Sequence, residues 1–397
     1  MNTGKNIIPS LRFPEYKVSI GWKESLIKDV CSIGTGKSNS QDQVEGGKYP
    51  FFIRSEVPVR SNRYLYDCEA VITIGDGKIG KVFHYINGKF DLHQRCYKMS
   101  DFKNVDGKYF YYYFSSHFYE RAMRMTAKAT VDSVRLGMIS EMPISFPSIS
   151  EQQKIAECLS SIDSYISSIN GKVEQLKAHQ KSLLQKLFPQ KGKTTPEFRF
   201  PEFKKDSAWK KMKLGDVTTV INRRNKSNRS LPIYSISNKD GFVLQSEQFD
   251  GLDSESRGYD ISLYKIVGRN TFAYNPARIN IGSIGYSGNL KEVLISSLYV
   301  CFKTTDELDD EFLQCFLKTA EFNQAVENNV EGGIRSYLFY ENFSRINISI
   351  PSLQEQKKIA STLLSIDDVI SKYTDKVSLL EDYKKGLMQQ LFPAITK

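Results

Sequence analysis

The feature that most constrains this chain is that it is written twice. "LRFPEYKVSIGWKESLIKDV" (11–30) returns as "FRFPEFKKDSAWKKMKLGDV" (198–217), with Pro14, Trp22 and Asp29-Val30 matching Pro201, Trp209 and Asp216-Val217 at a constant separation of 187 residues. A stronger pair follows. "ISFPSISEQQKIAECLSSIDSYISSINGKVEQLKAHQKSLLQKLFP" (144–189) and "ISIPSLQEQKKIASTLLSIDDVISKYTDKVSLLEDYKKGLMQQLFP" (348–393) align without a gap at a separation of 204, and about half their positions are identical. The middles differ, and the second is 17 residues longer. Each half is therefore a variable block followed by a shared block, and two units are too few for a solenoid.

The shared blocks read as long helices. Apolar residues at Ile155, Leu159, Ile162, Ile166, Ile169, Val173, Leu176, Leu183 and Leu187 alternate four and three apart, an a/d seam. The second seam is Ile359, Leu363, Ile366, Ile370, Tyr373, Val377, Leu380, Leu387 and Leu391, and Gln180 and Lys384 are polar a positions. They can fix register or mark a seam end where a long side chain reaches water. Proline flanks both segments (Pro147, Pro189, Pro351, Pro393) and is absent between, as helices require. About 36 residues at 1.5 Å each span roughly 54 Å. The second helix starts from the block at the far end of the first, so connectivity predicts an antiparallel coiled coil with a globular domain at each end. A parallel homodimer of helices is the alternative.

The variable blocks read as α+β. "EAVITIGDGKIGKVFHY" (69–85) and "NTFAYNPARINIGSIGYS" (270–287) are β-type runs broken by glycine. "KYFYYYF" (108–114) invites a base-stacking reading, but its counterpart "DEFLQCFL" (310–317) keeps the apolar spacing without the tyrosines, which predicts a helix packed on a sheet. "INRRNKSNRS" (221–230) is the densest basic cluster; Arg and Asn are the residues that read guanine and adenine edges, and Lys and Ser suit phosphate. "CSIGTGKSNS" (31–40) resembles the tail of a phosphate-binding loop. The first glycine that loop needs is Cys31, and the matching stretch "TTVINRRNKS" from Thr218 has no glycine, so the shared feature is a polar basic loop after Asp-Val.

The chain has 397 residues, room for two or three domains, and a net charge of +10, which favours an anionic partner, usually nucleic acid. "MNTGKNIIPS" has no apolar stretch of a secretory signal, and no run reaches membrane-span length, so a cytoplasmic protein is expected. Six scattered cysteines form no CxxC, and four histidines form no HExxH, so no metal site is expected.

This layout resembles, over essentially the full length, the specificity (S) subunit of type I restriction–modification systems. The resemblance rests on "LRFPEY" and "FRFPEF", the P-S-x-x-E-Q-x-K-I-A helix starts at Pro147 and Pro351, the "SID" at Ser161-Ile162-Asp163 and Ser365-Ile366-Asp367, and the two "LFP" ends. It implies two target-recognition domains (1–145 and 191–349, the latter with its linker), each reading one half of a split sequence in double-stranded DNA. Two conserved helices (146–190 and 350–397) would set the unread spacer. The fold class expected is α+β, two recognition domains joined by an antiparallel coiled coil and duplicated about a pseudo-two-fold axis. The chain would be non-catalytic and bind no cofactor. Two methyltransferase subunits using S-adenosylmethionine and two restriction subunits using ATP and Mg would complete a bacterial defence complex. The sequence itself has no adenine-methyltransferase [DN]PP[YF], since "NPAR" at Asn275 lacks it.

Base-contacting residues do not transfer by motif between variable blocks. Chemistry nominates Lys37, Ser38, Asn39, Lys78, His93, Gln94, Arg95, Lys128 and Thr130 in the first. In the second it nominates Arg223, Arg224, Asn225, Lys226, Asn238, Lys239, Asn275, Arg278, Arg335 and Ser336. Two other readings stay open: an enzyme using Lys37 and Asp76, and a coiled-coil adaptor without DNA readout.

Overall fold

The computed structural model describes residues 7–126, 133–329 and 337–394. The chain divides into two compact units, one of residues up to Gly171 together with those from Thr374 onward, the other Lys172–Tyr373. The division falls inside both long helices, Ile149–Leu187 and Leu353–Leu391, each of 39 residues. Each unit thus holds one variable block and one end of each helix.

In the first unit, strand Lys23–Leu26 pairs antiparallel with Pro143–Phe146, so the block is tied shut at its base. Its body is a six-stranded sheet in the order Ser32–Thr35, Cys96–Ser100, Tyr66–Ile74, Phe83–Leu92, Tyr49–Phe52 and Val59–Ser61. The glycine-broken run at 69–85 is the hairpin within it, and Tyr49–Phe52 against Phe83–Leu92 is the parallel pairing. Helix Gly107–Thr126 covers one face. Tyr109, Phe110, Tyr113 and Phe114 are almost fully buried against Val71 and Met99, so the aromatic run is core and stacks no base.

The second unit repeats the base, with Lys210–Lys213 paired antiparallel to Asn347–Ile350. Its body differs: two four-stranded sheets replace the single six-stranded one, so the 17 extra residues accompany two further strands among those described. One sheet contains the hairpin of Phe272–Tyr274 and Ile284–Tyr286; the other is built around Ile233–Ser237 and Val293–Ile295, which run parallel. Helix Asp310–Phe316 buries Phe312, Leu313, Cys315 and Phe316.

Within each unit the helix ends run antiparallel. In the first, Lys376 donates to the Tyr165 hydroxyl (2.6 Å) and Lys384 to Asp163 (2.5 Å). In the second, Lys172 donates to the Tyr373 hydroxyl (2.7 Å) and Gln180 to the Leu363 carbonyl (3.2 Å). Every seam residue named above is buried or half-buried, Ile162, Ile166, Leu176, Ile366, Ile370 and Leu380 among the half-buried. Both polar seam positions are satisfied across the pair; neither is a loose end. The "LFP" motifs are anchors. Leu391 and Phe392 bury among Ile155, Leu159, Tyr109 and Tyr113 in the first unit, Leu187 and Phe188 among Ile359, Leu363, Trp209 and Phe312 in the second. Each such side chain contributes on the order of 1.5–3 kcal/mol of burial free energy.

Candidate nucleic-acid interface

In the first unit three stretches nominated from sequence meet at one end of the sheet. Strand Ser32–Thr35 leads into Gly36, whose N–H donates to the Cys96 carbonyl at 3.3 Å. A Cβ on Gly36 would lie 2.0 Å from the Leu92 oxygen, so glycine is required by the close approach of two backbones, with no phosphate involved. Ser38 bridges His93, and a short 3-10 turn, Ser40–Asp42, follows where a phosphate-binding loop needs a helix. The phosphate-loop resemblance is thus a packing feature.

Two nominated residues here are corrected. Ser38 is wholly buried, its hydroxyl donating to Asp91 (2.5 Å) and accepting from Arg63 Nη2 (2.9 Å). His93 is 4% exposed, and its Nδ1 accepts the Arg95 backbone N–H at 3.0 Å. Burial, then the nearby Arg54 charge, lowers its pKa below the ordinary imidazole value. Both residues shape the loop and cannot reach a base edge. The others face outward. The Gln94 amide donates to the Asn39 side chain (2.5 Å), Arg95 pairs with Asp76 (2.8 Å), Lys78 pairs with Glu56 (2.6 Å), and Lys37 is exposed. Arg54, unremarked in the sequence, joins the same Asp76 at 3.2 Å.

In the second unit the nominated residues form two groups. Arg223, Arg224 and Lys226 are exposed on the loop beside Lys265, to which Arg224 is bridged. Asn225 is the third correction: it is fully buried, its amide donating to the Arg229 (2.9 Å) and Ile261 (3.3 Å) carbonyls while its oxygen accepts the Arg229 N–H at 2.9 Å. Arg223 is not a free cation either; Glu292 bonds both it and Arg229, and those two guanidiniums, Arg223 first, hold the carboxyl below its usual range. The second group forms where the 236–241 turn packs on 275–285. Ser283 donates to the Ile236 carbonyl (2.8 Å), and a Cβ on Gly285 would lie 2.8 Å from Gly241 Cα. Asn238, Lys239 and Arg278 are exposed there, and Asn275 caps its own turn by accepting the Ala277 N–H at 3.0 Å. Lys128, Thr130, Arg335 and Ser336 lie outside the described residues.

The shared blocks contain a device that the sequence reading missed. Arg12 forks onto Glu151 through Nε and Nη2, both at 2.7 Å, with side chains 5% and 1% exposed. Arg199 repeats this on Glu355 at 2.8 and 2.7 Å. Hydrogen bonding to Glu151 raises the Arg12 pKa further, so the guanidinium stays charged. The next residues repeat too: Gln152 donates to the Asn104 and Pro147 carbonyls and accepts the Asp106 N–H, and Gln356 does the same with Glu307, Pro351 and Asp309. The Arg of each "RFPE" motif is therefore locked to the Glu of each "EQ" motif. The signal was available: these are opposite charges kept in both halves and buried beside apolar positions.

Among the described residues, no group of three or more His, Cys, Asp or Glu is placed to hold a metal ion, and no helix is long and apolar enough to cross a membrane. Asp76, weighed above as an enzymatic carboxylate, is occupied by two arginines. The cysteines are free, and burial pushes the Cys31, Cys96 and Cys315 thiols up to about 12, leaving them protonated and unreactive.

Two mixed domains with dissimilar basic loops, set on identical clamps and an antiparallel helix pair in each unit, define a duplicated recognition scaffold. The pattern of the type I restriction modification DNA specificity domain matches residues 19–178 and 206–379, most of the chain, and the chain belongs to that family. It is 24% identical over 410 aligned positions to the type I restriction enzyme MjaVIII specificity subunit of Methanocaldococcus jannaschii, covering 96% of this chain and 93% of that one. It is 26% identical over 185 residues to the EcoDI specificity subunit of Escherichia coli, a match spanning 41% of that protein. The fold matches the type I restriction–modification S subunit from M. genitalium with a TM-score of 0.64 at 17% identity, covering 98% and 100% of the two chains.

Proposed function

We propose that this chain reads a bipartite DNA sequence and assembles a type I restriction–modification complex around it. Residues 1–145 and 191–349 would each read one half, and the helices 146–190 and 350–397 would set the unread spacer. The observation that carries the reading is the contrast between halves. The Arg–Glu clamp recurs with the same residues, and the base strands and helix ends recur in the same pairing, while the exposed loops, Asn39–Gln94–Arg95 in one domain and Arg223–Lys226 and Asn238–Lys239 in the other, differ. A scaffold that must meet two equal partners keeps its scaffold and varies its readers.

Both kinds of contact are supplied by chemistry. Arg and Asn offer bidentate donors to guanine and adenine, and lysines neutralise phosphates. Helices of 39 residues rise about 58 Å, longer than the about 34–36 Å of one turn of DNA, so their length suffices for a spacer of that order. Catalysis would belong to partners: methyltransferase subunits binding S-adenosylmethionine and restriction subunits using ATP and Mg, two of each. The test is a chimera in which residues 1–145 are replaced by those of a relative with another specificity. One half of the recognised sequence should change and the other half and spacer stay; a change in both halves ends the modular reading. Equal affinity for random and selected DNA in the assembled complex would favour the protein adaptor.

A further inference from the structure

Each variable domain carries the same small construction in an unrelated loop: one carboxylate between two exposed arginines. Asp76 takes Arg54 and Arg95; Glu292 takes Arg223 and Arg229. The arginines stay 47%, 64%, 58% and 41% exposed in their side chains, while the carboxylates are at 17% and 36%. Surface pairs of this kind contribute little to stability, and an acidic group on a DNA-facing surface repels phosphate. What the pairs do is fix direction. All four arginines touch their carboxylate through Nη1. Among the described residues, the Nε–Nη2 edge of each makes no hydrogen bond. That edge is the one Arg12 and Arg199 spend on Glu151 and Glu355, and it is the planar two-donor fork that fits guanine O6 and N7.

We propose that Asp76 and Glu292 are positioning residues that hold Arg54, Arg95, Arg223 and Arg229 with their forks presented for guanine recognition, one carboxylate per half-site. This rests on the DNA-reading function proposed above. Each carboxylate pre-orders two long side chains before DNA arrives, and its negative charge keeps the arginines from settling on phosphate. Loss of the carboxylate then has opposite effects on two quantities: discrimination falls, and affinity for arbitrary sequence rises or holds. A merely structural residue would not separate them.

The experiment uses the full chain copurified with its methyltransferase and a randomised double-stranded DNA library, followed by titration of the selected duplex and a scrambled duplex. For Asp76→Asn, guanine preference should fall about 5-fold or more at positions within one half-site, with the other half unchanged and scrambled-duplex affinity equal or higher. Glu292→Gln should do the same in the other half. Asp76→Glu should recover part of the preference. A wild-type selection profile in both variants, or erosion of both halves by either one, overturns the proposal. If Asp76→Asn fails to fold by its thermal midpoint, Arg95→Lys, which keeps the charge and loses the fork, is read by the same criterion. A wild-type complex that selects no split motif overturns the DNA-reading function itself, a failure distinct from a wild-type motif that the variants leave intact.

Discussion

Replacing Arg12 by methionine removes a guanidinium that is 5% exposed and leaves Glu151, 1% exposed, with its two 2.7 Å hydrogen bonds broken. The substitution also strips donors from the Ser19 and Ile20 carbonyls, just before Trp22. Breaking a buried ion pair from one side costs about 3–5 kcal/mol because a charge is left uncompensated. The double variant Arg12→Met/Glu151→Met removes both charges and should recover much of that loss. The assay is denaturant unfolding of Trp209→Phe protein, in which Trp22 is the only tryptophan and its selectively excited fluorescence reports the first unit. A cost for Arg12→Met below about 1 kcal/mol, the level of a surface pair, or a double variant as unstable as the single one, would refute the clamp.

Three further outcomes follow from the same geometry. Gly36→Ala should destabilise the first unit by about 1–3 kcal/mol, because its Cβ meets the Leu92 carbonyl at 2.0 Å, whereas Gly34→Ala, with nothing within 4 Å, should be within about 0.5 kcal/mol of wild type in the same unfolding assay. His84, His93 and His117 all belong to the first unit, and burial is the first cause lowering each pKa. Their neutral forms favour folding above about pH 6.5, and that contribution is lost as pH falls toward the lowered values. The Trp22 transition should therefore weaken between pH 7.5 and 5.5 more than the Trp209 transition read in a Trp22→Phe background. Lys384→Met should cost about 1–2 kcal/mol in the first unit, since Asp163 is left with Tyr112 alone on a half-buried helix face, and Asp163→Asn in that background should restore part of it.

The parts legible in the sequence were those that repetition and periodicity encode. A seam that alternates four and three for about five heptads demands a partner helix, connectivity favoured the antiparallel one, and the constant separations of 187 and 204 placed both helices and both domain bases. The candidate site was only half legible, for a physical reason. Ser38, His93 and Asn225 are polar residues in basic loops, as a base reader would be, but each satisfies buried backbone or carboxylate groups. Type and neighbourhood cannot separate a residue that shapes a loop from one that projects from it; burial does. Asp76 and Glu292 went unnoticed as partners because the arginines they hold are up to 69 residues away in sequence, and the Arg12–Glu151 pair is separated by 139. Long-range ion pairs leave no local pattern, and here the duplication was the one signal that could have exposed the clamps.

On the proposed function, this chain selects a split DNA sequence for a partner enzyme. The direct measurement is to co-express it with its neighbouring methyltransferase in an unmethylated host and map methylated adenines across the genome. One motif, with two short defined halves around a fixed gap, is the expected result. Absent or unpatterned methylation, with both proteins folded and associated, would contradict the claim and leave a protein adaptor in its place.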